Sequence, residues 1–240
     1  MEQIRTLHLN DYQICQDTDC FMFGIDAVLL ADFAAKEIHR KDNVLDLGCG
    51  NGIIPLLLAG KSNAKSITGL EFQKKSFDLA EKNVALNHLE EKISIINGDV
   101  REIKTCVPRE CFSVITSNPP YMKYIGKDNR NEEITIARQE KCGTLENFIA
   151  AVDWALKPCG KFFMIHRPDR IAEIFAVLNK YKMEPKTMQL IYPFKDKDAT
   201  MVLIEARKNS RPGVKVKEPL IVYETPGVYT KSVMKIYGKI

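Results

Sequence analysis

The stretch VLDLGCGNG, residues 44–52, decides the fold of this chain. Its apolar start predicts a buried strand, and three glycines, Gly48, Gly50 and Gly52, follow before a helical pattern begins. Glycines at alternate positions keep Cβ atoms out of the loop, so that a flat ligand can approach the backbone closely. A purely structural turn would need only one glycine, and we therefore interpret the loop as a ligand-binding site.

The spacing of the glycines separates two kinds of cofactor. The dinucleotide fingerprint is G-x-G-x-x-G, with the phosphates at the N-terminus of the following helix. Here the pattern is G-x-G-x-G, Cys49 lies between the first two glycines, and Asp46 stands two residues before them. A carboxylate at that position would repel a phosphate and attract an ammonium or sulfonium group. The loop therefore disfavours a nicotinamide oxidoreductase and favours a cationic cofactor.

Strand and helix patterns alternate along most of the chain, as in NVLDLG, SITGLE, KISIIN and FSVIT with amphipathic stretches between them. In QKKSFDLAEKNVALN, Phe77, Ala80 and Val84 recur at helical spacing. This alternation predicts an α/β fold, with a mostly parallel sheet and helices on both faces. Only a charged loop separates the last two strands, near 186–193 and 199–207, which predicts a hairpin at the sheet edge and hence a mixed sheet.

Two segments flank this core domain, which we place at 43–207. The N-terminal extension, 1–42, predicts a hairpin that turns at Asn10 and Asp11, then a helix that is capped at Asp26. The extension should pack on the core through the apolar side of that helix. That side carries Leu29, Leu30, Phe33 and Ile38.

The remaining segment, 208–240, is a basic C-terminal tail. The whole chain has a formal net charge of +4, whereas the tail alone holds seven basic and two acidic residues. Such a tail suits a polyanionic partner, because contacts of Lys and Arg with phosphates supply most non-specific affinity for nucleic acids. A solvated terminus without a partner is the alternative.

Composition excludes several other classes of protein. Seven scattered cysteines without a CxxC pair indicate reduced thiols and disfavour a disulfide framework or a zinc site. No apolar run approaches the ~18 residues that cross a bilayer, and the N-terminus lacks a secretory h-region. We therefore expect a cytoplasmic protein with no membrane or metal partner. No histidine has a partner at catalytic or metal spacing, so we assign surface or structural roles to His8, His39, His88 and His166.

Two further acids follow the next predicted strands. Glu71 ends SITGLE and precedes Phe72, and Asp99 follows KISIIN and precedes Val100. Ligands of open α/β sheets bind outside the carboxyl ends of the strands, near the point where the strand order reverses. There Glu71 could accept both hydroxyls of a ribose, and Asp99 could accept an adenine amino group. Each acid alone would more often be a cap or a turn residue; the ordered set with Asp46 carries the argument.

The sequence SNPPY, residues 117–121, ends the strand pattern FSVIT abruptly. We call these five residues the SNPPY corner. Its prolines, Pro119 and Pro120, fix the backbone, so that the Asn118 side chain and the Pro119 carbonyl could accept the two hydrogens of an exocyclic amine. Two such acceptors favour a pyramidal nitrogen and disperse the positive charge that develops when the amine acts as a nucleophile. Tyr121 could stack on a base that is swung out of its own stack. A rigid turn with no chemical role is the alternative.

From DLGCGNG through NPPY the chain resembles the class I methyltransferases that depend on S-adenosylmethionine (SAM). More closely, the stretches FMFGIDAVLLADFA, LDLGCGNGIIPLLLA, SNPPYM, ARQE, EPLIVYE and GVYT are similar to those of the bacterial valine-tRNA (adenine-N6) methyltransferases. The resemblance implies a Rossmann-like methyltransferase fold with a seven-stranded mixed sheet, SAM as cofactor, and methylation of the adenine just 3′ of the anticodon. It also implies that Phe23 and Asp26 lie near the cofactor.

The SNPPY corner is followed by a segment rich in polar residues, MKYIGKDNRNEEITIARQE. This segment is long enough to form a mobile substrate loop. Its basic residues, with those of the tail, could contact RNA phosphates. The acids in the same segment support the alternative of a solvated loop. The candidate phosphate contacts are Lys123, Lys127, Arg130 and Arg138.

Other functions stay open at this point. A protein-glutamine N5 methyltransferase also uses NPPY, because its target is an amide nitrogen, but such enzymes carry a helical domain ahead of the SAM domain. Only about 42 residues precede the first core strand here. Other NPPY-type enzymes methylate rRNA or DNA, and a non-catalytic RNA-binding module could retain the fold. Intact Asp46 and Asn118 disfavour that last alternative.

Overall fold

The computed structural model describes residues 2–7, 9–17, 23–121 and 143–240 of the chain. Within these residues there are thirteen strands and seven α-helices. The strands are β1 (Glu2–Thr6), β2 (Gln13–Asp17), β3 (Asn43–Leu47), β4 (Ser66–Glu71), β5 (Ile93–Asn97), β6 (Phe112–Ser117), β7 (Leu156–His166), β8 (Met183–Tyr192), β9 (Met201–Lys208), β10 (Lys215–Val216), β11 (Leu220–Ile221), β12 (Tyr223–Thr225) and β13 (Val228–Tyr229). The helices are α1 (Ile25–Ala35), α2 (Ile53–Lys61), α3 (Lys74–Leu86), α4 (Ile103–Cys106), α5 (Leu145–Ala155), α6 (Ile171–Lys180) and α7 (Lys231–Ile236).

Nine strands form the central sheet, in the order β10-β8-β9-β7-β6-β3-β4-β5, with β11 also paired to β8. Strands β3 to β7 are parallel to one another, whereas β9 runs antiparallel to both β7 and β8. The predicted mixed sheet is therefore confirmed. The predicted hairpin of β8 and β9 also forms, but it is not the outermost part of the sheet, because the tail adds the two-residue strands β10 and β11 beside β8.

Strand β7 shows why helices must cover both faces of the sheet. Its residues Phe163 and Ile165 pack with α1 and α2 on one face, while Phe162 and Met164 pack with α5 and α6 on the other. All four side chains are at most 1% exposed. Successive side chains of a strand point to opposite faces, so an unbroken apolar run such as KFFMIH needs a covering layer on each. Full burial of each phenylalanine contributes roughly 1.5–3 kcal/mol.

The predicted N-terminal hairpin is formed by β1 and β2, and its turn residues Asn10 and Asp11 have φ of 49° and 54°. Among the residues that the structure describes, the free edge of β2 meets no further strand and instead lies against α3. The buried side chain of Asn83 accepts from the Cys15 amide at 2.6 Å and donates to the Cys15 carbonyl at 3.0 Å. Asn87, the C-cap residue that directly follows α3, makes the same pair of bonds two residues earlier in β2. Two side-chain amides thus satisfy an edge strand that would otherwise be exposed.

Helix α1 begins one residue before the predicted cap. Its N-cap is Gly24, and Asp26 is the second helical residue. The predicted capping role of Asp26 is therefore wrong: its Oδ1 does accept a backbone amide, that of Ala27 at 3.0 Å, but from inside the first turn. The predicted apolar side of the helix is confirmed for Leu29, Leu30 and Phe33, which are at most 6% exposed. Ile38 is also buried, but it lies beyond the end of α1 at Ala35.

The basic tail packs on the same core as the rest of the chain. Strands β10 and β11 join the sheet, and residues of α7 pack against the apolar cluster that contains α1. Lys208, which contributes to the tail's formal charge, is buried at the end of β9, where its Nζ lies 3.1 Å from Asp153 and 3.4 Å from Glu110. Its charge is neutralised inside the fold. The exposed basic residues of the tail are Arg211, Lys215, Lys217, Lys231, Lys235 and Lys239.

No membrane-spanning helix is present in the described parts of the chain. None of the helices there has the length and apolar content needed to cross a bilayer.

Candidate active site

The glycine loop, residues 48–52, and the SNPPY corner meet at one end of the sheet. Strand β3 lies between β4 and β6, so the chain order reverses at this point. The carboxyl end of β3 continues into the glycine loop, and that of β6 continues into Asn118. Beside them lies a cavity of about 980 Å³, part of which is open to solvent. This position is the switch point at which open α/β sheets bind ligands.

Two glycines of the loop have different tasks. Gly50 has φ of 57° and Gly52 has φ of 82°, a region that residues with a Cβ rarely adopt. A Cβ on Gly50 would meet no atom within 4 Å, so this residue faces open space, whereas a Cβ on Gly52 would lie 3.3 Å from α3. The amides of Gly48 and Cys49 both donate to the Leu70 carbonyl, at 2.8 and 3.0 Å, and so tie the loop to β4.

Glu71, the last residue of β4, holds the loop from the other side. Its Oε2 accepts from the Gly50 amide and its Oε1 from the Gln73 amide, both at 2.8 Å. The side chain is buried, which raises its pKa, while bonds from backbone amides oppose the rise. Glu71 lines the cavity. Since a carboxylate offers about four lone-pair sites, it can accept further hydrogen bonds from a ligand.

Asp46 lies beneath the glycine loop and is not among the residues that line the cavity. It is fully buried; its Oδ1 accepts from the Thr116 hydroxyl at 2.6 Å, and its Oδ2 has no partner among the described residues. Burial raises the pKa of Asp46 to about 8, and the charge of Glu71 adds to the rise, whereas the bond from Thr116 opposes it. The structure therefore places Asp46 behind the loop, and its contact with the cofactor stays a prediction. A cation brought close to Oδ2 would lower this pKa again.

Asp99 is bound by a neighbouring side chain. Its carboxylate caps the short turn after β5, where it accepts from the backbone amide of Arg101 at 2.9 Å and from the guanidinium of the same residue. Burial tends to raise its pKa, but the bonds from Arg101 outweigh this and the pKa is lowered. Asp99 does not line the cavity, whereas its neighbours Gly98 and Val100 do. The contact of Asp99 with an adenine amino group stays a prediction.

The SNPPY corner forms a hydrogen-bonded cluster with α1. Asn118 Nδ2 donates to Asp26 Oδ2 at 3.0 Å, and the Tyr121 hydroxyl lies 2.8 Å from the same oxygen and also contacts Asn118 Oδ1. Burial raises the pKa of Tyr121 well above its usual value, and the charge of Asp26 adds to the rise, so the hydroxyl stays a donor. Asp26, Asn118 and Pro120 line the cavity, while Pro119 is buried and lies outside its lining. The stacking of Tyr121 on a base stays a prediction.

His166 packs beside this cluster. It is fully buried at the end of β7, with its ring edge-on to Tyr121 at a centroid distance of 5.3 Å. Its Nδ1 accepts from the Arg167 amide at 2.8 Å, which places the proton of the neutral ring on Nε2. Burial lowers its pKa to about 4, and the nearby Arg170 adds to the effect. The structural role predicted for this histidine fits its position. In the residues that the structure describes, no group of His, Cys, Asp or Glu could hold a metal ion.

The cavity unites ten of the predicted site residues, and five others lie outside its lining. The ten that line it are Phe23, Asp26, Gly48, Cys49, Gly50, Glu71, Phe72, Val100, Asn118 and Pro120. The five outside it are Asp46, Gly52, Asp99, Pro119 and Tyr121. The predicted phosphate contacts Lys123, Lys127, Arg130 and Arg138 lie outside the described residues.

Some lining residues have no counterpart in the sequence predictions. Asn51 and Gln73 line the cavity, and the Nδ2 of Asn51 is buried with no partner in the described part of the chain. Both residues adjoin predicted loop residues, so their positions in sequence could have indicated them. Phe148 comes from α5 and lies 3.4 Å from the place that a Cβ on Gly48 would occupy. No local sequence signal connects α5 with the glycine loop.

Residues 24–183 match the family model described as methyltransferase small domain, a range that contains the glycine loop, Glu71 and the SNPPY corner. The chain belongs to this methyltransferase family. Membership confirms the predicted enzyme class, a methyltransferase that uses SAM as its cofactor. The order of the sheet strands in the described structure agrees with the predicted Rossmann-like fold.

Individual relatives agree with the family. The tRNA1(Val) (adenine(37)-N6)-methyltransferase of Porphyromonas gingivalis strain W83 is 25% identical over 226 residues, which cover 91% of this chain and 88% of the relative. The protein of the same name from Flavobacterium johnsoniae is 28% identical over 189 residues, 77% of this chain and 74% of the relative. Among solved structures, a predicted O-methyltransferase from Agrobacterium tumefaciens superposes with a TM-score of 0.71 at 25% identity, covering 89% of this chain and 96% of that one.

Proposed function

We propose that this methyltransferase transfers the methyl group of SAM to the exocyclic N6 of an adenine in RNA, in the anticodon loop of a tRNA. The observation that carries the proposal is the position of Asn118, which lines the cavity beside the glycine loop with its side-chain amide bound to Asp26. Curated relatives that match most of this chain are named for N6 methylation of adenine 37 in a tRNA. Their names support the same target for this chain.

The residues of the cavity fit SAM as the cofactor. When bound, SAM supplies a methyl group on a positively charged sulfur, which a nucleophile can attack in line. We assign Glu71 to the ribose hydroxyls, since its carboxylate lines the cavity. Phe72, which is 45% exposed, and Val100 supply apolar surface for the adenine ring. The buried Asn51 Nδ2, which has no partner among the described residues, is a donor suited to an oxygen of the cofactor.

The SNPPY corner suits an amine as the nucleophile. An exocyclic adenine amine is weakly nucleophilic because its lone pair is delocalised, and acceptors for both of its hydrogens would favour the attacking geometry. Asn118 Oδ1 and the Pro119 carbonyl would be these acceptors. The Tyr121 hydroxyl contacts Oδ1 in this structure, but an amide oxygen has a second lone pair. A hydroxyl substrate has only one hydrogen to offer, so two acceptors favour N-methylation over O-methylation.

Basic groups beside the cavity support RNA as the substrate. Phe23 lines both the cavity and a neighbouring cleft, and the described lining of that cleft includes Arg5, Lys239 and Tyr237 but no carboxylate. Basic and aromatic side chains together suit the phosphates and the unstacked bases of a single-stranded loop. We assign phosphate contacts to the exposed basic residues of the tail as well. By their place in the sequence after the corner, Lys123, Lys127, Arg130 and Arg138 receive the same assignment.

Transfer of a labelled methyl group from SAM tests the proposal. The protein is incubated with total RNA, and separately with total protein, from a strain that lacks the gene. We expect label in tRNA and, by mass spectrometry of the nucleosides, N6-methyladenosine. Label in protein would favour the glutamine N5 alternative, and a 2′-O-methylated nucleoside would favour O-methylation. If neither pool is labelled, methyl transfer to these substrates is contradicted.

Salt dependence tests the RNA contacts separately. If phosphate contacts supply much of the affinity, the dissociation constant for tRNA should rise steeply between 50 and 200 mM salt, by roughly one power of ten or more for a few contacts. An affinity that does not change with salt would contradict the role assigned to the basic residues.

A further inference from the structure

We propose that Asp26 is a positioning residue, which fixes the orientation of the Asn118 side-chain amide so that its oxygen is available to the substrate amine. The sequence resemblance implied instead that Asp26 lies near the cofactor. The inference rests on the proposed function in one respect: the orientation of the amide matters for catalysis only if Asn118 Oδ1 accepts a hydrogen of the substrate.

The two ends of an asparagine amide have nearly the same shape, so hydrogen-bond partners decide which end points in which direction. A carboxylate can only accept. Asn118 Nδ2 lies 3.0 Å from Asp26 Oδ2, and this contact is a hydrogen bond only if the nitrogen faces the carboxylate. Oδ1 must then point to the other side, where it meets the hydroxyl of Tyr121.

Asp26 can impose this orientation because it is itself held in place. Its Oδ1 accepts from the Ala27 amide at 3.0 Å, in the first turn of α1, where the helix dipole favours negative charge. Its Oδ2 takes the bonds from Asn118 and Tyr121, and the side chain is 5% exposed. Gly24 leaves room for the carboxylate, since a Cβ at this position would lie 2.7 Å from Asp26 Oδ1. The backbone before the helix is therefore compatible with an acid that is turned inward.

A neutral amide at position 26 could not satisfy both sides. In an Asp26→Asn variant, the new side chain would have one oxygen for three donors: the Ala27 amide, Asn118 Nδ2 and the Tyr121 hydroxyl. If that oxygen stayed on the Ala27 amide, the new NH2 group would face Asn118 and favour the flipped orientation of its amide. A flipped Asn118 would present N–H groups to the N–H groups of the substrate, and the acceptor would be lost.

The test exchanges the two groups. Asp26→Asn and Asn118→Asp are made singly and together, because the double variant places an amide donor at position 26 against a carboxylate at position 118 and restores every hydrogen bond with the roles reversed. The matched control is Asp32→Asn on the same helix. Asp32 bonds to Lys36 and Lys61 and does not line the cavity.

Methyl transfer to tRNA and the dissociation constant for SAM are measured for each variant. We expect Asp26→Asn to lower kcat by about 10- to 100-fold, the effect of losing one hydrogen bond to a charged group, with SAM affinity changed less than about threefold. The kcat of the double variant should be at least about tenfold higher than that of the less active single variant. If the two substitutions damaged the structure independently, their losses of activity would add up instead. A loss of SAM affinity with unchanged kcat would show that Asp26 is a cofactor contact. Full activity of Asp26→Asn, or additive losses, would also overturn the inference.

A spectroscopic readout separates this inference from the proposed function. The side-chain NH2 signals of Asn118 are identified in a ¹⁵N correlation spectrum by their disappearance in Asn118→Asp. They should shift in Asp26→Asn and stay in place in Asp32→Asn. If they shift while the wild type methylates no RNA, the proposed function fails and the orientation by Asp26 stands. If they do not shift, Asp26 does not hold the amide, whatever the substrate.

Discussion

The two walls of the cavity are built in different ways. The cofactor wall, formed by residues 48–52 and the end of β4, is held mainly by backbone groups: amides of the loop donate to the Leu70 carbonyl and to Glu71. The substrate wall, formed by residues 117–121 and Asp26, is held by side chains that are 92 residues apart in sequence. Backbone bonds survive most substitutions, whereas a bond between two side chains is lost with either of them. We therefore expect substitutions in the cofactor wall to change SAM affinity and substitutions in the substrate wall to change kcat. Substitutions at four positions in or behind the walls examine this difference.

The largest effect is expected in the substrate wall. Asn118→Ala removes the proposed acceptor of the substrate amine and should lower kcat by at least about 100-fold, as the removal of one transition-state hydrogen bond does in other enzymes. The dissociation constant of SAM, measured by calorimetry, should change less than about threefold because the cofactor wall is intact. Asn179→Ala, an exposed asparagine on α6, is the control. A parallel loss of SAM affinity would show that the two walls are one structural unit.

Asp46, behind the cofactor wall, should link stability to pH. Its pKa is about 8 in the folded protein, compared with a usual value of 3.8, so the folded state holds a proton that the unfolded state releases between about pH 4 and pH 8. This group therefore makes the protein less stable as the pH rises through that window. Asp46→Asn does not titrate, and its free energy of unfolding relative to the wild type should increase by roughly 3–4 kcal/mol from pH 5 to pH 8. Urea unfolding at the two pH values measures this, and a difference that is independent of pH would mean that Asp46 is ionised in the fold.

Glu71→Ala should weaken the cofactor wall and spare the substrate wall. Loss of the carboxylate removes the acceptor for the Gly50 and Gln73 amides as well as the proposed ribose contact. We expect the dissociation constant of SAM to rise by about tenfold or more, consistent with one or two lost hydrogen bonds to a charged group. At saturating SAM, kcat should stay within about threefold of the wild type. Glu71→Gln keeps one acceptor oxygen, so its dissociation constant for SAM should lie between those of the wild type and Glu71→Ala. An unchanged SAM affinity in both variants would refute the ribose assignment.

Asp99→Asn should have the smallest effect. Its carboxylate is bound by Arg101 and does not line the cavity, and such a partly exposed ion pair contributes little to stability. We expect SAM affinity and kcat to change less than about threefold. A larger loss of SAM affinity would restore the role that the sequence predicted for Asp99, an acceptor for the adenine amino group.

The elements of the fold that the sequence predicts are those with a local cause. The alternation of apolar strands with amphipathic helices predicted the sheet, and the glycines of the loop predicted where a ligand could approach. Gly50, which faces open space, illustrates this: the absence of a side chain is itself visible in the sequence. Asp99 belongs to the same local class, since Arg101 two residues later is its partner, and that ion pair could have been recognised.

Contacts between distant segments could not be predicted in this way. The position of Asp46 depends on the pairing of β3 with β6, which sets it opposite Thr116, and no local pattern specifies that register. The bond between Asp26 and Asn118 depends on how α1 crosses the end of β6, and Phe148 depends on the packing of α5. Each of these is a property of the assembled sheet and helices. For this reason the sequence identified residues of the site more successfully than it identified their partners.

The side chain of Asn83 has a consequence for how this protein can change over evolutionary time. Its Nδ2 donates to the carbonyl of Asn51 in the glycine loop at 2.9 Å, in addition to its bonds with Cys15 of the N-terminal hairpin. A lineage that reshaped the hairpin while Asn83 stayed buried would leave Asn83 Oδ1 without its donor from Cys15, at a cost of about 1–3 kcal/mol. The hairpin, Asn83 and the loop are therefore expected to be inherited together, although they are far apart in the gene.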